Sequence, residues 1–289
     1  MVTEPSPSTL STFTASDGDN LAMQDWPLAD EVAQRGTFLI VHGLGEHAGR
    51  YDHVARRLND WGFAVRGYDQ YGHGESGGVR GALPAESRLV DDLGDVIEST
   101  RQRTGPDLPL IVLGHSMGGL VAACLAALGR VPIDGLVLSS PALDAGLSPV
   151  QKILVATLPH FVPNLTVGNG VDPLLISRDR DVVDAYQADK LVHDRISTRL
   201  ARFIADAGPT VIARAPQWDV PTLLLYAGQD KLVDPAGSRA FAEAAPPELV
   251  TSVCFHDHFH EIFNEPDNGE VFAALHRWLR ERFPPAVPG

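Results

Sequence analysis

The feature that most constrains this chain is Ile111-Val112-Leu113-Gly114-His115-Ser116-Met117-Gly118-Gly119-Leu120, where an apolar run enters Gly-x-Ser-x-Gly and a small-residue helical run continues to Leu128. This order predicts a strand, a sharp turn and a helix. Such a turn holds its serine in strained backbone angles, so the residues two before and two after it must lack side chains. Gly114 and Gly118 meet that need. The turn would lift the Ser116 hydroxyl clear of a sheet, while the following helix aims free N–H groups and the positive end of its dipole at the same point. A carbonyl attacked there would have its developing negative charge stabilised. Context carries this reading, because Gly74-Glu75-Ser76-Gly77-Gly78 fits the same pattern. No apolar run leads into that second copy and no helical run directly follows it, so Ser76 reads as loop.

The remaining chain supplies a sheet around the turn. Leu10 to Ala15 and Asn20 to Trp26 flank Asp17-Gly18-Asp19 and read as an antiparallel edge hairpin. Gly36 to His42 is nearly all apolar, the mark of a strand buried on both faces, and helical periodicity follows from Tyr51 to Trp61. Phe63 to Tyr68, a helix face over Leu89 to Thr100, and a strand over Ile133 to Leu138 continue the alternation. From about Ala142 to Trp218 it stops, leaving helical patterning broken by Pro149, Pro159, Pro163, Pro173, Pro209 and Pro216 and no strands. It resumes with a strand over Pro221 to Tyr226, a helix over Ala236 to Ala245, a strand over Leu249 to Phe255 and a closing helix over Glu270 to Phe283. The expectation is an α/β fold: a mostly parallel sheet of about eight strands flanked by helices, its core made of residues 1–141 and 219–289, with a helical cap, residues 142–218, inserted.

Composition excludes several function classes. No segment reaches the roughly 18 apolar residues that span a membrane, and Met1 to Pro7 lacks the basic and apolar regions of a leader peptide, so a cytoplasmic location is expected. The net charge of −14 repels nucleic acid, which is set aside as a partner. The two cysteines, Cys124 and Cys254, read as small buried hydrophobes.

A serine hydroxyl needs a histidine to take its proton and a carboxylate to hold that imidazole in the right tautomer. In open α/β sheets such groups sit at the carboxyl ends of strands. Asp230 follows the strand and turn Leu223 to Gln229 and is favoured over Asp234, which lies nearer the next helix. His256, His258 and His260 alternate after the last strand; a metal site is the alternative use of that spacing, but no paired carboxylate motif or outlying cysteine supports it. His260, opening the lead-in to the final helix, is taken as the base, and the order Ser116, Asp230, His260 is that of α/β-hydrolases. The oxyanion donors are assigned to the N–H of Met117 and, from the glycine-bearing loop His42-Gly43-Leu44-Gly45-Glu46-His47, the N–H of Leu44. His42 is expected to fix that loop by hydrogen bonding, His115 to pack behind the turn, and His73 to belong to the turn after Asp69. No metal or organic cofactor is called for.

With these residues placed, the chain resembles the monoacylglycerol lipase group of α/β-hydrolases, whose bacterial members are often labelled lysophospholipases. The resemblance rests on His42-Gly43-Leu44-Gly45-Glu46-His47 with Arg50-Tyr51, Gly72-His73-Gly74 with Ser76-Gly77-Gly78, Gly114 to Gly119, Ile176-Ser177-Arg178-Asp179 with Tyr186, Asp230 with Asp234, and His260 to Glu265. It implies a serine ester hydrolase acting on monoacylglycerols or similar single-chain lipid esters, with Ser116, Asp230 and His260 as its triad. It also implies that Glu46, Arg50 and Tyr186 border the pocket for the glycerol head, against the plainer reading of a salt bridge and a packing tyrosine. The loop Asp69-Gln70-Tyr71-Gly72 departs from the pattern, which carries a basic residue there. A broad esterase, thioesterase or lysophospholipase using the same triad, and a ligand-binding protein without catalysis, are the alternatives. In the expected cap, Val150, Ile153, Leu154, Leu158 and Phe161 form one apolar stripe. It either packs on the core or lines an acyl tunnel and makes transient contact with membranes or micelles.

Overall fold

The computed structural model describes residues 8–285. Met1 to Pro7, on which the reading of the N-terminus rests, lie outside the described residues. β1 (Thr9–Thr14) and β2 (Asn20–Trp26) make the expected hairpin, with Gly18 at φ +93° in its turn. Then follow β3 (Gly36–Val41), α1 (Asp52–Asp60), β4 (Phe63–Tyr68), α2 (Arg88–Thr104), β5 (Leu110–His115), α3 (Met117–Leu128) and β6 (Gly135–Ser139). Between β6 and the next strand of the main sheet lie α4 (Pro149–Phe161), β7 (Thr166–Gly168), α5 (Arg180–Ala188), β8 (Arg195–Ser197) and α6 (Thr198–Arg214). β9 (Thr222–Ala227), α7 (Pro235–Ala244), β10 (Val250–Phe255) and α8 (Gly269–Arg282) close the chain.

The main sheet has eight strands in the order β1-β2-β4-β3-β5-β6-β9-β10, and only the pairings of β2 with β1 and β4 are antiparallel. Successive side chains leave opposite faces, so one continuous apolar run feeds two cores. Leu39 and Val41 join Val112, Leu138 and Leu224 under α2, α3, α6 and α7. Phe38 and Ile40 join Ile111, Leu113, Val137 and Leu225 under α1 and α8. Two buried layers on a parallel sheet hold the carboxyl ends of β3, β5, β9 and β10 in one fixed relation, and the candidate site sits there. Among the described residues no helix is long and apolar enough to cross a membrane.

The segment between β6 and β9 departs from the expectation in two ways. It contains strands: β7 and β8 pair antiparallel, Thr166 opposite Ser197 through Gly168 opposite Arg195. Three residues are too few for a period-two pattern to register, and this pairing is set by tertiary contact. Two prolines also sit inside helices, Pro159 in α4 and Pro209 in α6. Pro209 follows Gly208, at which an added Cβ would lie 2.1 Å from the Leu143 carbonyl oxygen, so α6 is pressed against the chain leaving β6. Tertiary packing there outweighs the hydrogen bond a proline removes. Pro149, by contrast, opens α4 behind a Ser148–Gln151 capping box.

The strand-turn-helix forms as expected, and the reason for its glycines is steric. A Cβ on Gly118 would sit 2.2 Å from the Val41 carbonyl oxygen and 2.3 Å from that of His42; one on Gly114 would meet the Gly118 carbonyl at 2.6 Å. Backbone cannot yield at such distances without displacing β3 from α3. Gly118→Ala is therefore expected to cost about 3 kcal/mol or more of stability. A denaturant midpoint corresponding to a loss below about 0.5 kcal/mol, the range of neutral surface changes, would contradict this packing.

Candidate active site

Ser116 stands between β5 and α3 with φ 53° and ψ −119°, a strained conformation for a residue with a side chain. Its backbone is locked on both sides: its N–H donates to the Ser139 carbonyl at 3.0 Å and its carbonyl accepts from Leu120 and Ala142 N–H, each at 3.0 Å. The look-alike Ser76 is consumed structurally, donating to the Asp69 carbonyl and accepting from Ala22 N–H at 2.8 Å.

Asp230 lies just beyond β9. Its Oδ1 accepts from Leu232 and Val233 N–H at 2.9 and 3.0 Å, which fixes the carboxylate while Oδ2 takes the Nδ1 of His260 at 2.6 Å. Both groups are buried. Burial alone would raise the Asp230 pKa, but His260 and these hydrogen bonds bring it below the usual carboxylate value. Burial alone would lower the His260 pKa, yet Asp230, with Glu261 and Glu46 adding to it, holds it above the ordinary histidine value. Asp234 instead caps α7 through Ala236 N–H at 2.8 Å. The neighbouring histidines also go elsewhere: His258 stacks on Phe255 and reaches Asp267 at 3.1 Å, and His256 faces Cys254 Sγ at 3.9 Å. His258, Glu265 and Asp267 bring their ligating atoms within 4.8 Å of one another, but Arg178 already donates to both carboxylates and offsets part of their charge.

The loop after β3 is held from within. Gln70 N–H donates to His42 Nε2 at 2.9 Å, which leaves Nδ1–H to donate to the Gly43 carbonyl at 2.8 Å. Gln70, in the loop that departs from the expected pattern, also donates from Nε2 to the His42 carbonyl at 2.6 Å. His42 thus does what was expected of it, and His73 sits in its turn, bonded to the Tyr71 carbonyl at 3.0 Å. His115 does more than pack. Its Nδ1 meets Ser139 Oγ at 3.1 Å, its ring centroid is 4.7 Å from that of His260, and burial first, then His260, depresses its pKa to about 4, leaving a neutral neighbour for the His260 imidazole.

Ser116, His260, Leu44 and Met117 all border one cavity of about 350 Å³. Most of the remaining lining is apolar, drawn from both the sheet ends and the segment between β6 and β9, including Leu154, Val155, Leu158, Ile196, Ile204 and Val233. Glu46 and Tyr186 border it as well. Arg50 lies behind them, donating to Glu46 and, through both terminal nitrogens, to Glu261 at 2.8 Å, with its guanidinium 4.7 Å over the Tyr186 ring. Glu261 was given no role from sequence; its signal was its place directly after His260 in a motif already singled out.

The comparisons with known proteins bear on the fold and the family. The model of the family "Serine aminopeptidase, S33" matches residues 32–267. The chain is 34% identical over 270 residues to the monoacylglycerol lipase of Mycolicibacterium smegmatis, covering 92% of this chain and 95% of that one. It is 35% identical over 280 residues to an uncharacterized abhydrolase domain-containing protein of Dictyostelium discoideum, covering 95% of this chain but only 29% of that protein's length. The crystal structure of the Paleococcus ferrophilus monoacylglycerol lipase superposes with a TM-score of 0.79 at 32% identity, covering 96% of this chain and all of that one. The chain is a hydrolase and belongs to the serine aminopeptidase S33 family of α/β-hydrolases, in the group that holds the monoacylglycerol lipases.

Proposed function

We propose that the chain is a serine carboxylester hydrolase cleaving monoacylglycerols, or similar single-chain lipid esters, to fatty acid and alcohol. The observation that carries the reading is the apolar cavity of about 350 Å³ bordered by Ser116 and His260, suited to one acyl chain presented to one nucleophile. Ser116 Oγ attacks the ester carbonyl while His260 Nε2 takes its proton and Asp230 steadies the imidazolium. The oxyanion is met by the N–H groups of Leu44 and Met117. The tetrahedral intermediate collapses as His260 returns the proton to the departing glycerol oxygen. Water, deprotonated by His260, then attacks the acyl-enzyme; the bond to Ser116 Oγ breaks as His260 returns the proton to that oxygen, and fatty acid leaves. The test is fatty acid release from monoacylglycerols of graded chain length, beside diacylglycerol, a lysophospholipid and short p-nitrophenyl esters. Preference for long monoacylglycerols is expected; cleavage of short activated esters alone would overturn the lipid assignment.

The base must be neutral to act. Because the His260 pKa is raised, kcat/KM should fall about tenfold per unit as pH drops below a midpoint above the ordinary histidine value. A midpoint at or below about 6.5 would contradict the role given to the Asp230–His260 pair.

Residues 142–218 act in this reading as a cap that touches lipid surfaces. None of α4's residues is buried: Val150, Ile153 and Phe161 are 67%, 64% and 84% exposed, while Leu154, Val155 and Leu158 border the cavity. With a net charge of −14, contact must come from apolar insertion rather than attraction to anionic lipid. Replacing Ile153 and Phe161 together with serine should weaken binding to monoacylglycerol vesicles by about tenfold or more while sparing soluble esters. Equal binding of the variant and the parent would remove the cap from membrane contact.

A further inference from the structure

We propose that Arg50 is a positioning residue whose guanidinium, between the buried carboxylates of Glu46 and Glu261, sets the oxyanion loop and the His260 loop in register. The proposal rests on the roles given above to Ser116, His260 and the Leu44 N–H. It differs from the resemblance, which would have Arg50 bind the glycerol head.

The chain of contacts is short and complete. Gly43, next to Leu44, donates its N–H to Glu46 Oε1 at 2.5 Å, and Tyr51 donates to the same oxygen at 2.7 Å. Glu46 Oε2 accepts from Arg50. Arg50 then makes a two-pronged pair with Glu261 at 2.8 Å for each bond. Glu261, next to His260, is held further by Asn264 Nδ2 at 2.6 Å and through its N–H by the Ile176 carbonyl at 2.8 Å. The planar fork of arginine can make a two-pronged pair with one carboxylate while donating to a second in a fixed direction; a lysine ammonium, a point charge on a flexible stem, cannot reproduce that fork.

Stability is a poor reason for such an arrangement. A buried ion pair or triad often stabilises no more than apolar residues of the same volume, because three charges must leave water. Both carboxylates remain ionised here: burial would raise them, but Arg50 leads the groups that bring Glu46 down to about 2 and Glu261 below the usual range. What the triad supplies is geometry, linking a residue beside an oxyanion donor to the residue beside the base. It also supplies charge. Facing His260 are Asp230, Glu261, Glu46 and the neutral His115, with Arg50 behind Glu261, and the three carboxylates together keep the imidazole basic.

The experiment compares Arg50→Lys and Glu261→Gln with the parent on a monoacylglycerol and on a p-nitrophenyl ester, which has no glycerol. Active enzyme is counted by fluorophosphonate titration. A positioning role predicts that Arg50→Lys lowers kcat on both substrates alike, by on the order of 10²-fold, with KM little changed. It also predicts that Glu261→Gln moves the acidic limb of kcat/KM to lower pH, which a loss of folded protein would not do. A loss confined to the glycerol ester and appearing in KM would overturn the proposal, as would full activity of Arg50→Lys or an unmoved acidic limb. If Arg50→Lys does not fold, Glu261→Gln carries the test, since it leaves Arg50 paired with Glu46. Should the parent cleave only the p-nitrophenyl ester, the lipid assignment falls while the positioning role is still read on that ester.

Discussion

Ser116→Ala is expected to lower turnover by on the order of 10⁴ to 10⁶ while leaving the fold intact. Only Oγ is removed. The backbone that holds the turn is fixed by Ser139, Leu120 and Ala142 through main-chain groups, so the strained φ of 53° does not depend on the hydroxyl. Alanine at positive φ costs no more than serine does, and the variant should melt within a few degrees of the parent. Residual activity would be that of water attacking an ester held in the oxyanion site. A variant that keeps more than about a hundredth of the parent rate would place the nucleophile elsewhere.

Asp230→Asn is expected to cost about 10⁴ in kcat. The geometry says why so small a change would do so much. Asparagine keeps an oxygen for the N–H groups of Leu232 and Val233, so the turn survives with its 2.9 and 3.0 Å bonds available. Its amide NH₂ then faces His260 Nδ1, where Oδ2 stood at 2.6 Å. To accept from that NH₂ the ring must place its proton on Nε2, the atom that should take the serine proton. The base is present but in the wrong tautomer. It also loses the carboxylate that raises its pKa, so whatever activity remains should persist to lower pH than in the parent. Steady-state rates across pH check both effects; an unchanged kcat would give His260 another partner.

Much of this fold is legible in the sequence because a parallel sheet buried on both faces writes itself as continuous apolar runs. Gly36 to Val41 and Leu110 to Leu113 read as strands from their apolar runs, and Gly114 and Gly118 mark a turn whose steric reason the structure gives in ångströms. The loop histidines were partly legible: His42 fixes its loop by hydrogen bonding, while His115 reaches further than expected, to the ring of His260. β7 and β8 were not legible, since three-residue strands carry no periodicity, nor was the tolerance of α4 and α6 for Pro159 and Pro209, which depends on what those helices pack against. Glu261 was hidden for a different reason. Its partner Arg50 is 211 residues away in sequence, and nothing in a local pattern says that a guanidinium will arrive from the turn after β3.

The most direct measurement of the central claim is labelling of the intact protein with a fluorophosphonate, with and without competing long-chain monoacylglycerol, followed by peptide mass mapping. The account predicts one phosphonate per chain, on the peptide carrying Ser116, slowed by the monoacylglycerol and absent from Ser116→Ala. Label on Ser76 or another residue, or a parent protein that takes up none, would contradict it.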